Sequence, residues 1–406
     1  MQGQQISPGG TPEVLAGQQR RRGFRHSLLF SLVALAFATA LHSQTPQPSP
    51  NPAFDQLVSQ ASAARANGDL AQASALYTQA LALNPSWPDG WWYLGQIHYA
   101  ANEYPQAVDA FTHYLDLMPN AAPATALRGL CEFELREFDP SLRDVQRALA
   151  LGAADDSRNT QILRYHEALL LTRLNRFEEA LAAYGYFGKQ HLSSDDIYVA
   201  IGLAALRLPL MPADANPAQR DSASQAGNAA FLLMSGDMQG AAQAFQQFFA
   251  RNSTAANVHY TYGYLLYPTD QDAAIVEFQR EAAVNPGSAI DHTMLAWALL
   301  MENQPAEALP EAKKAAAAAP ALTLAQLSLG RALLETGDAK SATPILESAL
   351  ALEPGNLEVH LALARAYSEI GREDDARRQR LACLQLTEQS TKPAPAMGQQ
   401  EEPPAR

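Results

Sequence analysis

The sequence predicts an all-α solenoid of antiparallel helix pairs. Three observations carry that prediction. Prolines recur with a period of 34 residues, at Pro85 and Pro119 and again at Pro286, Pro320 and Pro354. Small residues follow the same step: Ala73 and Ala107; Ala274, Ala308, Ala342 and Ala376; Ala296, Gly330 and Ala364. Alanine makes up about a fifth of the chain, and it is the strongest helix former and lets helices approach closely. The 406 residues are 47% hydrophobic, enough for a sizeable core and too much for wholesale disorder.

The elements are justified from the N-terminus onward. Residues 20–26 carry Arg20, Arg21, Arg22 and Arg25, and an uncharged apolar run follows from Ser27 to Leu41. A basic flank, an apolar run and Ala38-Thr39-Ala40 as an A-x-A site read as a secretory signal over 1–40. The run falls short of the roughly 20 apolar residues a spanning helix needs, so a retained membrane anchor is the alternative. No Cys follows it, so a lipid anchor is not expected. Residues 41–53 form a stiff Pro-rich linker, with Pro46, Pro48, Pro50 and Pro52. A helical array over 54–188 comes next, then an irregular connection at 189–221 and a second array over 222–387. The polar, Pro-rich stretch 388–406 is expected to be a disordered tail.

Within the arrays the clearest copy reads Trp91-x-x-Leu94-Gly95-x-x-His98, continuing to Ala107, Phe111 and Pro119. It resembles the tetratricopeptide repeat (TPR), whose pattern is W-x-x-L-G-x-x-Y, A, F and P, with His98 in place of Tyr. Nine copies are expected, at 54–87, 88–121, 122–155, 161–188, 222–255, 256–288, 289–322, 323–356 and 357–387, the third to fifth being degenerate. The first helix of each pair carries a large residue, an aliphatic and a small residue on one face. The second carries a small residue and then an aromatic: Tyr77, Phe111, Tyr184, Phe245 or Phe278. The small residue lets the partner helix approach and the aromatic fills the gap that remains. Gly68, Gly337 and Gly371 close the turns within pairs, where a helix C-terminus calls for positive φ. The resemblance implies a TPR-type superhelical solenoid.

The phase breaks between 189 and 221. Asp196 to Leu206 reads as one helix, without a second before the prolines Pro209, Pro212 and Pro217. The stretch is a tolerated insertion, or else a hinge between sub-arrays or a lid.

Catalytic signatures are lacking: there is no G-x-S-x-G, H-E-x-x-H, Walker A or G-x-G-x-x-G after a strand. The nine His have no ligand spacing, and His259, His292 and His360 read as packing residues near the Trp slot. Cys131 and Cys383 read as buried thiols, and Glu178-Glu179 and Asp374-Asp375 as solvated faces. No enzyme activity, cofactor or metal is expected. A net charge of −13 argues against a nucleic-acid partner, whose phosphates call for Lys and Arg. A membrane enters only if the N-terminal segment is an uncleaved anchor.

The resemblance implies a protein or peptide partner held on the concave side of the first helices. The residues expected there are Trp92, Gln96 and Tyr99, then Tyr260, Tyr264 and Tyr267, Trp297, and the stacked pair Arg331 and Arg365. Tyr and Trp offer amphipathic contact area, and Arg grips carboxylates in a bidentate way. Arg331 also has Glu335 and Arg365 has Glu369 at i+4, so the two guanidinium groups serve a ligand or else pair within their own helices. The slots that hold Lys and Asn in the family's carboxylate-clamp members are Val58 and Ser62 here, so that mode of binding is not expected. The chain reads as an exported, non-enzymatic interaction scaffold, with a membrane-anchored envelope assembly factor as the alternative.

Overall fold

The computed structural model describes residues 51–152 and 157–391. The expected signal segment, most of the linker and nearly all of the expected tail lie outside the described residues. Every regular element among the described residues is an α-helix. They fall in two compact units, Met1–Tyr184 and Gly185–Arg406.

The first unit contains α1 (Pro52–Ala66), α2 (Leu70–Leu83), α3 (Pro88–Ala100), α4 (Tyr104–Leu117), α5 (Ala122–Glu134), α6 (Phe138–Ala150) and α7 (Ser157–Arg173), with α8 (Phe177–Lys189) crossing the division. Consecutive helices pair as α1/α2, α3/α4 and α5/α6, and each pair packs on the next. The aromatic and small positions close each pair. Tyr77, Phe111 and Tyr184 are fully buried, as are Ala73 and Ala107. A Cβ built at Gly95 would lie 2.6 Å from the Phe111 ring, so the glycine is what admits that ring. In the third pair Ser141 takes the small position and satisfies its hydroxyl by donating to the Gly129 carbonyl at 2.7 Å. A buried hydroxyl with such a partner costs little, which is why the repeat tolerates it.

The second unit contains α9 (Asp195–Ala205), α10 (Pro217–Met234), α11 (Met238–Arg251), α12 (Val258–Leu266), α13 (Gln271–Val284), α14 (Ala289–Met301), α15 (Pro305–Ala318), α16 (Thr323–Glu335), α17 (Ala339–Leu352), α18 (Leu357–Glu369) and α19 (Glu373–Thr391). From α10 onward the helices pair as in the first unit, with Phe245 and Phe278 buried in the aromatic position. Each unit is thus a TPR-type solenoid of antiparallel helix pairs.

Two features depart from the sequence reading. The helix at 195–205 does find a partner. Helix α10 begins at Pro217, five residues before the expected repeat, and packs its early turns along α9. Its start is set by Asn216, whose side chain accepts from the Gln219 N–H while Gln219 returns the bond to the Asn216 N–H. Such a reciprocal cap fixes a helix start firmly, and Pro at the first helical position suits it. The other departure is at the boundaries. Helix α1 starts at Pro52, inside the expected linker, and α19 runs to Thr391, inside the expected tail.

The turns within pairs take positive φ at Gly68, Gly236, Gly337 and Gly371, and equally at Asn102, Asn175, Asn303 and Arg136. Asn tolerates the left-handed region better than other non-Gly residues, so Asn replaces Gly at most of the other turns.

Candidate partner-binding surface

The small residue of each first helix gives a common register: Gly95, Gly263, Ala296, Gly330 and Ala364. Three columns of residues run beside it. The residue directly after it is Gln96, Tyr264, Trp297, Arg331 or Arg365, and these are half-buried or exposed. The residue three before it is Trp92, Tyr260, Thr293 or Leu327, which are buried, or Leu361, which is exposed. The residue four after it is Tyr99, Tyr267, Leu300, Leu334 or Ser368, of which Tyr267 and Ser368 are partly exposed.

This corrects part of the expected site. Trp92 packs its ring on Phe111 and Tyr114, with centroids 5.8 and 5.5 Å away. Tyr260 lies beside Phe278, 5.9 Å between centroids, and Arg207 sits over its other side at 5.0 Å. Tyr99 is buried near Tyr104, its hydroxyl is without a partner, and burial pushes its pKa far above the ordinary value. These three rings fill the space between successive repeats and offer no surface to a partner. Their partners lie largely on the second helix of the same pair, where Phe111, Tyr114 and Phe278 receive them.

Tyr264, Tyr267 and Trp297 remain accessible. The Tyr267 and Trp297 rings touch, 4.9 Å apart, joining the end of α12 to α14. Tyr264 lies parallel to the buried Tyr260 ring at 6.4 Å. Arg331 reaches Glu335 at 3.8 Å, and the Arg365 Nε–H donates to Glu369 at 2.8 Å. Both guanidinium groups therefore pair within their own helices, on adjacent first helices α16 and α18. Gln96 stands alone in its column within the second pair, and the first unit continues that column with the buried Leu130.

The His reading is sharpened. Trp91 Nε1–H donates to the Pro85 carbonyl at 2.8 Å. At the matching position His292 bonds the Pro286 carbonyl at 3.0 Å, Gln326 the Pro320 carbonyl at 3.1 Å and His360 the Pro354 carbonyl at 2.9 Å. Each side chain ties a first helix to the proline that ends the preceding second helix. His292 also faces Glu311 at 2.6 Å, and His259 holds the same position four before Gly263, where it stacks on Phe249 and bonds Glu277 at 2.6 Å. No group of His, Cys, Asp and Glu among the described residues could hold a metal. Cys131 and Cys383 are both buried and unbridged, and burial pushes the Cys131 thiol up to about 12, so it is not a nucleophile. No helix among the described residues is long and apolar enough to cross a membrane.

Sequence reasoning missed a buried polar knot beneath this surface. Glu281 is wholly buried and accepts the backbone N–H groups of Asn257 at 2.7 Å and Tyr260 at 3.2 Å. Asp291 is also wholly buried. One of its oxygens accepts from Asn285 at 3.3 Å and the other has no partner. Burial first, and then the nearby Glu281 carboxylate, raise its pKa from 3.8 to about 6, against opposing effects of Ser288, Arg207 and His292. A raised folded pKa means that the protonated form is favoured in the fold. The contribution is complete below pH about 4 and lost as pH rises through about 6. Urea unfolding across that window should show Asp291→Asn losing less stability with rising pH than the wild type. Parallel slopes would refute a titrating Asp291.

Pairs of antiparallel helices in register, presenting one column of partly open side chains, define a class of protein: the helical-repeat scaffold for protein–protein interaction. The particular repeat is also identified, since residues 58–122 and 333–379 match two tetratricopeptide repeat models. The chain carries TPR repeats at both ends. Among solved structures it is similar to MamA MSR-1 C2, at 22% identity over 42% of this chain and 99% of that one, with a TM-score of 0.36. It is likewise similar to MamA 41-end from Desulfovibrio magneticus RS-1, at 19% identity over 42% and 97% of the two chains, with a TM-score of 0.38. No curated protein matches the chain.

Proposed function

We propose that the protein is an exported, non-enzymatic scaffold that binds a peptide or protein partner along the groove column of its second unit. The observation that carries this reading is the aromatic contact of Tyr267 with Trp297, open beside Tyr264. Large rings that are already held by neighbours lose little freedom on binding, and such residues dominate interface energetics. Arg331 and Arg365 extend the column, each with its carboxylate, so a partner meets mixed charge beyond the aromatic stretch.

Export rests on the basic flank and apolar run that end at Ala38-Thr39-Ala40. The alternative keeps that run as an anchor, with the Pro-rich linker as a spacer. Fractionation with N-terminal sequencing separates the two: a mature chain starting near Leu41 supports export, and an intact segment in the membrane fraction supports the anchor.

The groove is tested with a photo-crosslinking residue at position 301, one turn beyond Trp297, and a control at Ser348 on α17. A partner captured at 301 but not at 348, and lost in Tyr267→Ala/Trp297→Ala, supports the reading. With the partner in hand, the double variant should weaken binding by about 2 kcal/mol or more, the range of buried aromatic anchors. Equal capture at both positions rejects the groove.

A further inference from the structure

Terminal repeats of a solenoid ordinarily present a polar outer face, because no further repeat covers it. The first helix of this chain follows that rule. Gln56 and Gln60 lie twelve and eight residues before the turn Gly68, and both are exposed. At the same distances before Gly371 stand Val359 and Leu363, each 0% exposed and packed in one cluster with Leu327 of the preceding repeat. The N-terminal face of α1 is therefore built for water.

The last repeat breaks the rule. Leu361 sits three residues before Ala364, in the column of Trp92, Tyr260, Thr293 and Leu327. Those four are 5%, 1%, 0% and 3% exposed, whereas Leu361 is 53% exposed. Leu384 lies thirteen residues after its turn glycine. Leu81 lies thirteen after Gly68 and Leu115 thirteen after Asn102 at the same turn, and they are 4% and 8% exposed, whereas Leu384 is 62% exposed. Leu357 is exposed on the same helix, one turn before Leu361. The outer face of α18 and α19 thus keeps the apolar residues of an internal repeat and is uncovered among the described residues.

Residues 392–406 offer little apolar surface by composition. They contain one large apolar side chain, Met397, and four prolines, Pro393, Pro395, Pro403 and Pro404. One Met does not make an apolar stripe. The charges on the face favour a different occupant. Glu358, Leu361 and Arg365 form one stripe on α18, with the acid three residues before the leucine and the base four residues after it. Two copies of that stripe laid antiparallel about Leu361 set Glu358 of each opposite Arg365 of the other. A self-complementary patch of this kind is what a two-fold interface requires.

We propose that the α18–α19 face is the interface of a homodimer, in which two copies of this chain cover each other's Leu361 and Leu384. The leucines supply the apolar burial. The Glu358 and Arg365 stripe sets the antiparallel direction, with Arg365 turning from Glu369 on its own helix toward the acid of the second copy. This reading shares Arg365 with the groove column, but Leu361 and Leu384 lie outside the groove and Tyr267 and Trp297 outside the face, so Leu361→Glu tests it separately.

The test is sedimentation velocity on the full chain over a range of concentrations, with circular dichroism on every variant to verify that it remains helical. The wild type should be dimeric and Leu361→Glu monomeric. Glu358→Arg and Arg365→Glu should each weaken dimerisation about tenfold or more by setting like charges opposite each other. The double variant Glu358→Arg/Arg365→Glu should regain most of the loss, which a merely structural role for either residue does not predict. A wild type that is monomeric at every concentration overturns the proposal. So does a monomer that dimerises only after truncation at Thr391, since the tail is then the cover. Equal dimerisation by the single and double variants overturns the antiparallel arrangement.

Discussion

Gly202→Ala is expected to lower the stability of the second unit by about 3 kcal/mol or more, at the upper end of overpacking costs. A Cβ at Gly202 would lie 1.7 Å from the Ala223 carbonyl oxygen, and one at Gly227 would lie 1.8 Å from the Tyr198 carbonyl oxygen. Both clashes are with backbone, so no rotamer change relieves them and the two helices must separate. Gly330 differs, because there the obstacle is the Leu346 side chain, at 2.4 Å, which can turn aside. Glycine at 202 and 227 is thus the condition for α9 to lie along α10. For a unit of this size the loss corresponds to a fall in Tm of about 6–12 °C. Gly185→Ala is the control. It is a helix-interior glycine with nothing within 4 Å of the added carbon, and alanine there should leave Tm unchanged or raise it slightly. If both variants melt with the wild type, the α9–α10 packing is wrong.

Glu281→Ala should cost a similar amount, about 3 kcal/mol, through a different cause. Helix α12 lacks an ordinary N-cap: Asn257 has φ +74° and its side chain does not cap α12 but donates to the Leu206 carbonyl at 3.3 Å. The Glu281 carboxylate, arriving from α13, accepts two of the N–H groups that the missing cap leaves open. Alanine strands both donors away from water, each at about 1–3 kcal/mol. Glu281→Gln keeps one acceptor oxygen and should lose roughly half as much. Guanidinium unfolding of the three proteins gives the comparison, and a Gln variant as damaged as the Ala variant would count against the capping role.

The period of 34 made the helix pairs legible, because it is imposed by residues that every pair needs. Tyr77, Phe111 and Phe278 fill their expected gaps, and Gly68, Gly337 and Gly371 take their expected turns. The period says less about direction around a helix. Trp92 and Gln96 are one turn apart, yet one is buried and the other half-exposed. Residue type misled here, since an aromatic suits a buried contact as well as an open one. The pairing of α9 with α10 was hidden for another reason. Its signal is two glycines, Gly202 and Gly227, whose role depends on a crossing that occurs once and so has no period. Glu281 and Asp291 lie on different helices and are brought together only by the fold.

The bond from four of the first helices back to a proline carbonyl bears on how such a chain can change over generations. Trp91, His292, Gln326 and His360 have no common shape, charge or ancestry that their letters reveal. They share one N–H held at one distance from one oxygen. Selection at that position can act on an atom and let the residue drift among the few that carry it there. Tandem copies descended from a single unit can then lose their spelling while the joint between them survives, and a copy that looks decayed by its lettering can be mechanically intact.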